Sequence, residues 1–301
     1  MPSRSSNCPT RRETIVASRP ITFAASVKLS AYTTATNAAN SSSVTRPNNS
    51  CIFCMIVIHH PMIISNYATV SLRATSKPDR EITVLKTFLS IGTGPGIGYE
   101  TAAHFAREGF RVVLSARNLD NTQALVKRLQ DAGYEAYAEQ VDAADPQAIA
   151  QLVEYTHARF GGLDVTHYNA AIIRQASLAE QPLDTFNHDL NVNIGGALAA
   201  AQASLNLMYA RQSGTLLLTG GFFGIEPNAD YLSLSLGKAG IRALTAGLFE
   251  SAKTHNVHVA TVTVAAFVEP ESEEAVGIAK AFWDLHSQKS ANWTAEVTYS
   301  R

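Results

Sequence analysis

From residue 85 onward, short unbroken apolar runs alternate with longer stretches in which apolar positions recur every three to four residues. Residues 85–91 are an apolar run with β-branched and aromatic members, ended by glycines, which predicts a buried strand. Residues 97–108 bring Ala102, Ala103 and Phe105 to one face of a helix that Gly109 stops. The same reading predicts strands over 111–115, 135–141, 163–168, 214–219, 257–264 and 296–299. It predicts helices over 122–132, 146–160, 183–210, 231–253 and 273–286. Strands that alternate with helices of ten or more residues build βαβ units. The expected fold is therefore α/β, a doubly wound parallel sheet of about seven strands covered by helices on both faces.

Composition divides the chain in two. Residues 1–85 carry 9 basic and 3 acidic residues, all three cysteines and no glycine, and 23 of them are Ser or Thr. The rest carries 15 basic and 22 acidic residues and all 18 glycines. The expected organisation is an extension over 1–84, poorly ordered because it lacks periodicity, and one globular domain over 85–301. The extension is Ser-rich, Arg-containing and acid-poor, as organellar transit peptides are. The reading favoured here is an upstream extension absent from the mature protein, with translation starting near Leu85. Cys51 and Cys54, followed by His59 and His60, are metal-ligating types, but four residues between the pairs is too short for a finger loop. No metal site is expected. The domain's lack of cysteine fits a reducing compartment, hence the cytoplasm, or an organelle if the extension is a targeting segment. A net charge of −1 gives no footing for nucleic acid, and no apolar run is long enough to span a bilayer.

The first strand leads into Gly92-Thr93-Gly94-Pro95-Gly96-Ile97-Gly98 and then a helix. Glycines let the backbone turn tightly and approach a pyrophosphate, and the helix N-terminus offers unpaired N–H donors. The spacing Gly92-x-x-x-Gly96-x-Gly98 resembles the fingerprint of the short-chain dehydrogenase/reductases. Other pieces similar to that family follow in order: Asp142 at the end of the third strand, Tyr168-Asn169-Ala170-Ala171 at the end of the fourth, the helical Asn193-Ile194-Gly195-Gly196, and Lys238 in Gly237-Lys238-Ala239-Gly240. The resemblance runs from Leu85 to about Tyr299. It implies a Rossmann-like fold that binds a nicotinamide dinucleotide and a small-molecule substrate, with Gly92, Gly96, Ile97 and Gly98 around the pyrophosphate. It also implies Asp142 and Ala143 beside the adenine, Asn169 and Ala170 near the adjoining ribose, Lys238 on the nicotinamide ribose and Val268 near the nicotinamide. Members commonly pair two long helices, so a homodimer or homotetramer is expected. After the second strand stands Ser115-Ala116-Arg117-Asn118, without the carboxylate that binds an NAD ribose. Arg117 can pair with a 2′-phosphate, so NADP(H) is expected and NAD is disfavoured.

The family's usual acid is a tyrosine four residues before the lysine, with a serine thirteen residues before that. Here those positions hold Leu234 and Gly221, and neither transfers a proton. Three readings stay open. In one, Tyr231 is the acid: it lies seven residues before Lys238, two turns along the same helical face, an arrangement similar to that of enoyl-thioester reductases in the superfamily. In another, a C=O or C=N group is reduced while water, Lys238, Ser233 or Ser235 completes proton transfer. In the third, the domain binds dinucleotide without catalysis, as a sensor or partner subunit. Catalytic candidates are Tyr231, Lys238 and Asn193, the last as an organiser of backbone and water. Trp283 and His286 either close the pocket or pack against the sheet.

Overall fold

The computed structural model describes residues 85–300, so the readings made on the extension and on Cys51 and Cys54 lie outside the described residues. Seven parallel strands form one sheet in the order β3-β2-β1-β4-β5-β6-β7. They are β1 (Thr87–Ile91), β2 (Arg111–Ala116), β3 (Ala136–Gln140), β4 (Val165–Tyr168), β5 (Gly214–Thr219), β6 (Val257–Ala265) and β7 (Glu296–Ser300). The helices are α1 (Ile97–Arg107), α2 (Leu119–Asp131), α3 (Pro146–Phe160), α4 (Leu183–Leu190), α5 (Gly196–Arg211), α6 (Leu232–Thr254) and α7 (Glu273–His286).

Successive side chains of a strand point to opposite faces, and the core divides accordingly. Leu89, Ile91, Val113, Leu216 and Leu218 enter one apolar cluster with Ile149, Val153, Ala197, Ala200 and Met208 of α3 and α5. Their neighbours Phe88, Val112, Leu114 and Leu217 enter the other, with Phe105, Leu129, Ile278 and Phe282 of α1, α2 and α7. Every residue of β1 is buried, as a central parallel strand with helices on both sides requires. Among the described residues no helix is long and apolar enough to cross a membrane.

Three boundaries differ from expectation for physical reasons. Helix α2 starts at Leu119 because the Asn118 side chain accepts the Asn121 N–H and caps it, ahead of the first apolar repeat. The region expected as one helix over 183–210 is α4 and α5 joined through a π-helical turn, Asn191–Gly195. Tyr231 is not helical; it is the residue from which α6 starts, at φ −132° and ψ 40°.

The chain adds β2 and β3 on one side of β1, then returns to add β4 on the other. That reversal opens a crevice beyond the carboxyl ends of β1 and β4, where open α/β sheets bind ligands.

Candidate active site

The glycine loop occupies that crevice. Gly92 sits at φ +82°, and a Cβ there would overlap the backbone of Ala170. Its N–H and that of Thr93 both donate to the Ser115 carbonyl, at 2.9 Å each, tying the loop to the end of β2. A Cβ on Gly98 would come within 2.9 Å of Thr93 Cα and 3.1 Å of Asn169 Nδ2. Among the described residues, nothing lies within 4 Å of where a Cβ on Gly94 would be. Among the described residues helix α1, with Gly96 as its N-cap, has no side-chain cap, as α4 and α6 have none, whereas Asn118, Asp145 and Ser272 cap α2, α3 and α7. A cradle closed below by backbone, open above and facing an uncapped helix N-terminus fits the pyrophosphate of a dinucleotide. Val268 reaches over this loop: its Cγ1 would lie 3.9 Å from a Cβ on Gly96.

A chain of buried polar contacts runs from this cradle to Lys238. Asn169 Nδ2 donates to the Gly92 carbonyl at 2.9 Å, and its Oδ1 accepts the Thr219 hydroxyl at 3.0 Å. That hydroxyl, having spent its proton, accepts from His167 Nε2 at 3.0 Å. His167 therefore carries its proton on Nε2, and its Nδ1 has no hydrogen-bond partner among the described residues. Burial, reinforced by the charge of Lys238, pushes His167 down to about 3, so the ring is neutral. The Thr219 carbonyl accepts the Lys238 ammonium at 2.7 Å. Burial pushes that amine down to about 8.

The position of the missing serine adjoins Lys238. A Cβ on Gly221 would lie 3.2–3.4 Å from Cγ, Cδ and Cε of Lys238, so the lysine stem would shift by a few tenths of an ångström to admit a serine. Leu234, at the position of the missing tyrosine, is buried. Ser233 donates to Asp189 at 2.9 Å. Ser235 accepts the Asn228 N–H and bonds the Tyr231 carbonyl at 3.0 Å. Both hydroxyls are thereby engaged in bonds within the fold.

Tyr231 is half-buried, and its ring stacks on Phe223 at 5.4 Å between centroids. Phe223 lies in the short turn Phe222–Gly224, and a Cβ on Gly224 would lie 2.6 Å from the Lys238 carbonyl carbon. The same turn thus holds Tyr231 and packs on the backbone of Lys238. Asn193 is buried within the π-helical turn. Its Oδ1 accepts the Ile172 N–H at 2.6 Å and its Nδ2 donates to the Ile172 carbonyl at 3.1 Å. Its amide fixes the loop after β4. A Cβ on Gly237 would overlap Cβ of Asn193, so only glycine lets α6 approach this closely.

The outlying candidates are also located. Arg117 is exposed at the end of β2, adjoining the loop's anchor at Ser115. Asp142 lies two residues past β3 rather than at its end, exposed, with Oδ1 accepting the Ala144 N–H at 2.9 Å. Ala143 is buried; a Cβ on Gly196 would overlap its carbonyl oxygen and the Tyr168 hydroxyl. Tyr168 donates to the Val192 carbonyl at 2.5 Å inside the π-helical turn. Burial, with the nearby Asp142 charge, raises its pKa, so it stays protonated. Trp283 and His286 do not close the pocket: Trp283 packs edge-on against Phe105, and His286 bonds Thr215 at the opposite end of β5. Sequence reasoning missed Thr219 and His167, whose contacts join residues far apart in the chain. It also missed Asp189, although a carboxylate one helical turn before an inward-facing Asn193 was a usable signal.

A dinucleotide cradle at the switch point of a doubly wound parallel sheet defines a nicotinamide-dinucleotide oxidoreductase of the short-chain type. Residues 86–276, more than half of the chain, match the family model for short chain dehydrogenases, and the chain belongs to that family. An uncharacterized oxidoreductase of Staphylococcus aureus (strain N315) is 28% identical over 184 residues, 60% of this chain and 79% of its own. One from Staphylococcus saprophyticus is 27% identical over 180 residues, 59% of this chain and 76% of its own. A metagenomic short-chain oxidoreductase solved in complex with NADP is 25% identical with a TM-score of 0.66, over 72% of this chain and 98% of that one. A short-chain dehydrogenase from Rhodopseudomonas palustris shares the fold, with a TM-score of 0.65 at 24% identity over 71% and 98% of the two chains. The protein is accordingly an NAD(P)-dependent oxidoreductase.

Proposed function

We propose that the protein transfers a hydride between NADP(H) and a small C=O, C=C or C=N substrate, with Tyr231 as proton donor in place of the usual tyrosine. The observation that carries this reading is the continuous link from the glycine cradle through Asn169 and Thr219 to the Lys238 amine, next to the turn that holds Tyr231. When bound, the reduced nicotinamide supplies the hydride. The chain's own residues do the rest. Gly92, Gly96, Ile97 and Gly98 hold the pyrophosphate, Asp142 and Ala143 border the adenine, and Asn169 and Ala170 support the adjoining ribose. Lys238 holds the nicotinamide ribose, Val268 covers the cradle, and Tyr231 brings a proton to the substrate oxygen or enolate. The commitment of the Ser233 and Ser235 hydroxyls elsewhere supports Tyr231 over either serine. Tyr231 stands at the N-cap of α6 rather than on its face, and its seven-residue separation from Lys238 is similar to the spacing of enoyl-thioester reductases, which supports such a reaction within the wider class.

Arg117, exposed and with no carboxylate beside it at the end of β2, supports NADP(H) over NAD(H). The relative solved with NADP agrees with that choice. Arg117→Ala is expected to weaken NADPH roughly tenfold or more, the worth of one charged hydrogen-bonded pair, and to leave NADH nearly unchanged. Calorimetric titration of both cofactors checks it; equal weakening of both would assign Arg117 a structural role instead. Leu198 on α5 and Leu236 on α6 are exposed, which supports pairing of these helices in a homodimer or homotetramer. Light scattering that returns a monomer mass would exclude such pairing.

A further inference from the structure

Asp189 is the penultimate residue of α4, one turn before Asn193, and its side chain is fully buried. Its two oxygens receive four hydrogen bonds. Arg174 donates from Nε to Oδ2 at 2.8 Å and from Nη2 to Oδ1 at 3.0 Å. Gln181 Nε2 and the Ser233 hydroxyl both donate to Oδ2 at 2.9 Å. These donors come from two segments: the middle and the end of the loop between β4 and α4, and the first turn of α6.

The loop after β4 is fastened on both sides of Arg174. Two residues before it, Ile172 is held through its N–H and carbonyl by the Asn193 amide. Two residues after it, Ala176 forms a parallel bridge with Tyr231 and donates its N–H to the Asp230 carbonyl at 2.9 Å. Asp189 grips the middle of this span with one hand and, through Ser233, the helix that starts at Tyr231 with the other.

A buried carboxylate is costly, and an apolar group of like volume usually stabilises a fold as well or better. Its distinctive contribution is direction: each bond fixes an angle as well as a distance. Its partners here are the segments on either side of the candidate acid.

We propose that Asp189 is a positioning residue, which sets Tyr231 against the loop after β4 and so fixes where its hydroxyl meets the substrate. This rests on the reading of Tyr231 as proton donor. Asp189→Asn keeps the shape, but its amide nitrogen must face a donor of Arg174 in either orientation: Nη2 at the Oδ1 position, or Nε together with Gln181 and Ser233 at the Oδ2 position. A misplacement on the order of 1 Å costs about 10²-fold in rate. With the full chain and whichever of a ketone, an enoyl thioester or a cyclic imine it reduces, kcat is expected to fall about 10–100-fold with NADPH affinity retained.

A double-mutant cycle separates positioning from mere stabilisation: in a Tyr231→Phe background, Asp189→Asn should cost no further turnover. Hydrogen exchange should quicken at the Ala176 amide, next to the bridge, and stay unchanged in β1. Ser233→Ala, which cuts only the tie to α6, should shift kcat and Ala176 exchange in the same direction and serves if Asp189→Asn does not fold. Full additivity with Tyr231→Phe, or unchanged exchange at Ala176, would overturn the proposal. If Tyr231→Phe alone leaves turnover intact, the donor reading has failed and the proposal that rests on it falls with it. Quickened exchange would then mark Asp189 as a structural tie alone.

Discussion

Tyr231→Phe is expected to lower turnover by about 10²–10⁴-fold while NADPH binding stays as in the wild type, the signature of a lost proton donor. The ring stacks on Phe223 and the backbone is held by the bridge to Ala176, and neither contact uses the hydroxyl, so phenylalanine keeps both. Lys238→Ala should behave differently. It removes the amine that bonds the Thr219 carbonyl and the stem that fills the space beside Gly221. Turnover and NADPH affinity should fall together if, as proposed, one side chain serves both. Steady-state rates and cofactor titrations on the two variants check the pattern. Unchanged turnover in Tyr231→Phe would return the role of donor to water or to Lys238.

Gly92→Ala is expected to destabilise the fold by several kcal/mol and abolish cofactor binding. Two causes add. An alanine at positive φ costs roughly 1–2 kcal/mol in backbone strain. Its Cβ would also overlap the Ala170 backbone, which cannot rotate aside and which adjoins Asn169 in the link to Lys238. Overpacking of this kind costs typically 1–3 kcal/mol or more. Gly94→Ala is the matched control. Nothing among the described residues lies within 4 Å of its Cβ position, so the thermal midpoint should hold while a methyl on the open side of the cradle weakens NADPH. An unchanged midpoint for Gly92→Ala would show that the loop has more freedom than its contacts allow.

The fold was legible because its signals are local. Continuous apolar strands, glycine stops and helical periodicity placed β5, α3 and α7 at their observed limits. Capping is local too but falls outside the apolar pattern, which is why Asn118 moved the start of α2. The glycine cradle was readable from its spacing. The wiring behind it was not: His167, Asn169 and Thr219 meet across some fifty residues, and a lone His or Thr in a strand carries no sign of its partner. Asp189 illustrates the same limit, since its donors come from as far away as Ser233, 44 residues on. Trp283 and His286 were ambiguous because an aromatic face on α7 suits either end of the sheet. Their contacts with Phe105 and Thr215 set them at the end away from the cradle.

The central claim is hydride transfer from NADPH at this site, and one isotope measurement meets it directly. NADPH carrying deuterium at both C4 positions of the nicotinamide is mixed with the full chain and a ketone, an enoyl thioester or a cyclic imine. The products are then read by mass spectrometry. Deuterium is expected on one carbon of one product class, at a rate that collapses in Tyr231→Phe. Tight NADPH binding with no deuterium in any product would contradict it and make the domain a dinucleotide sensor.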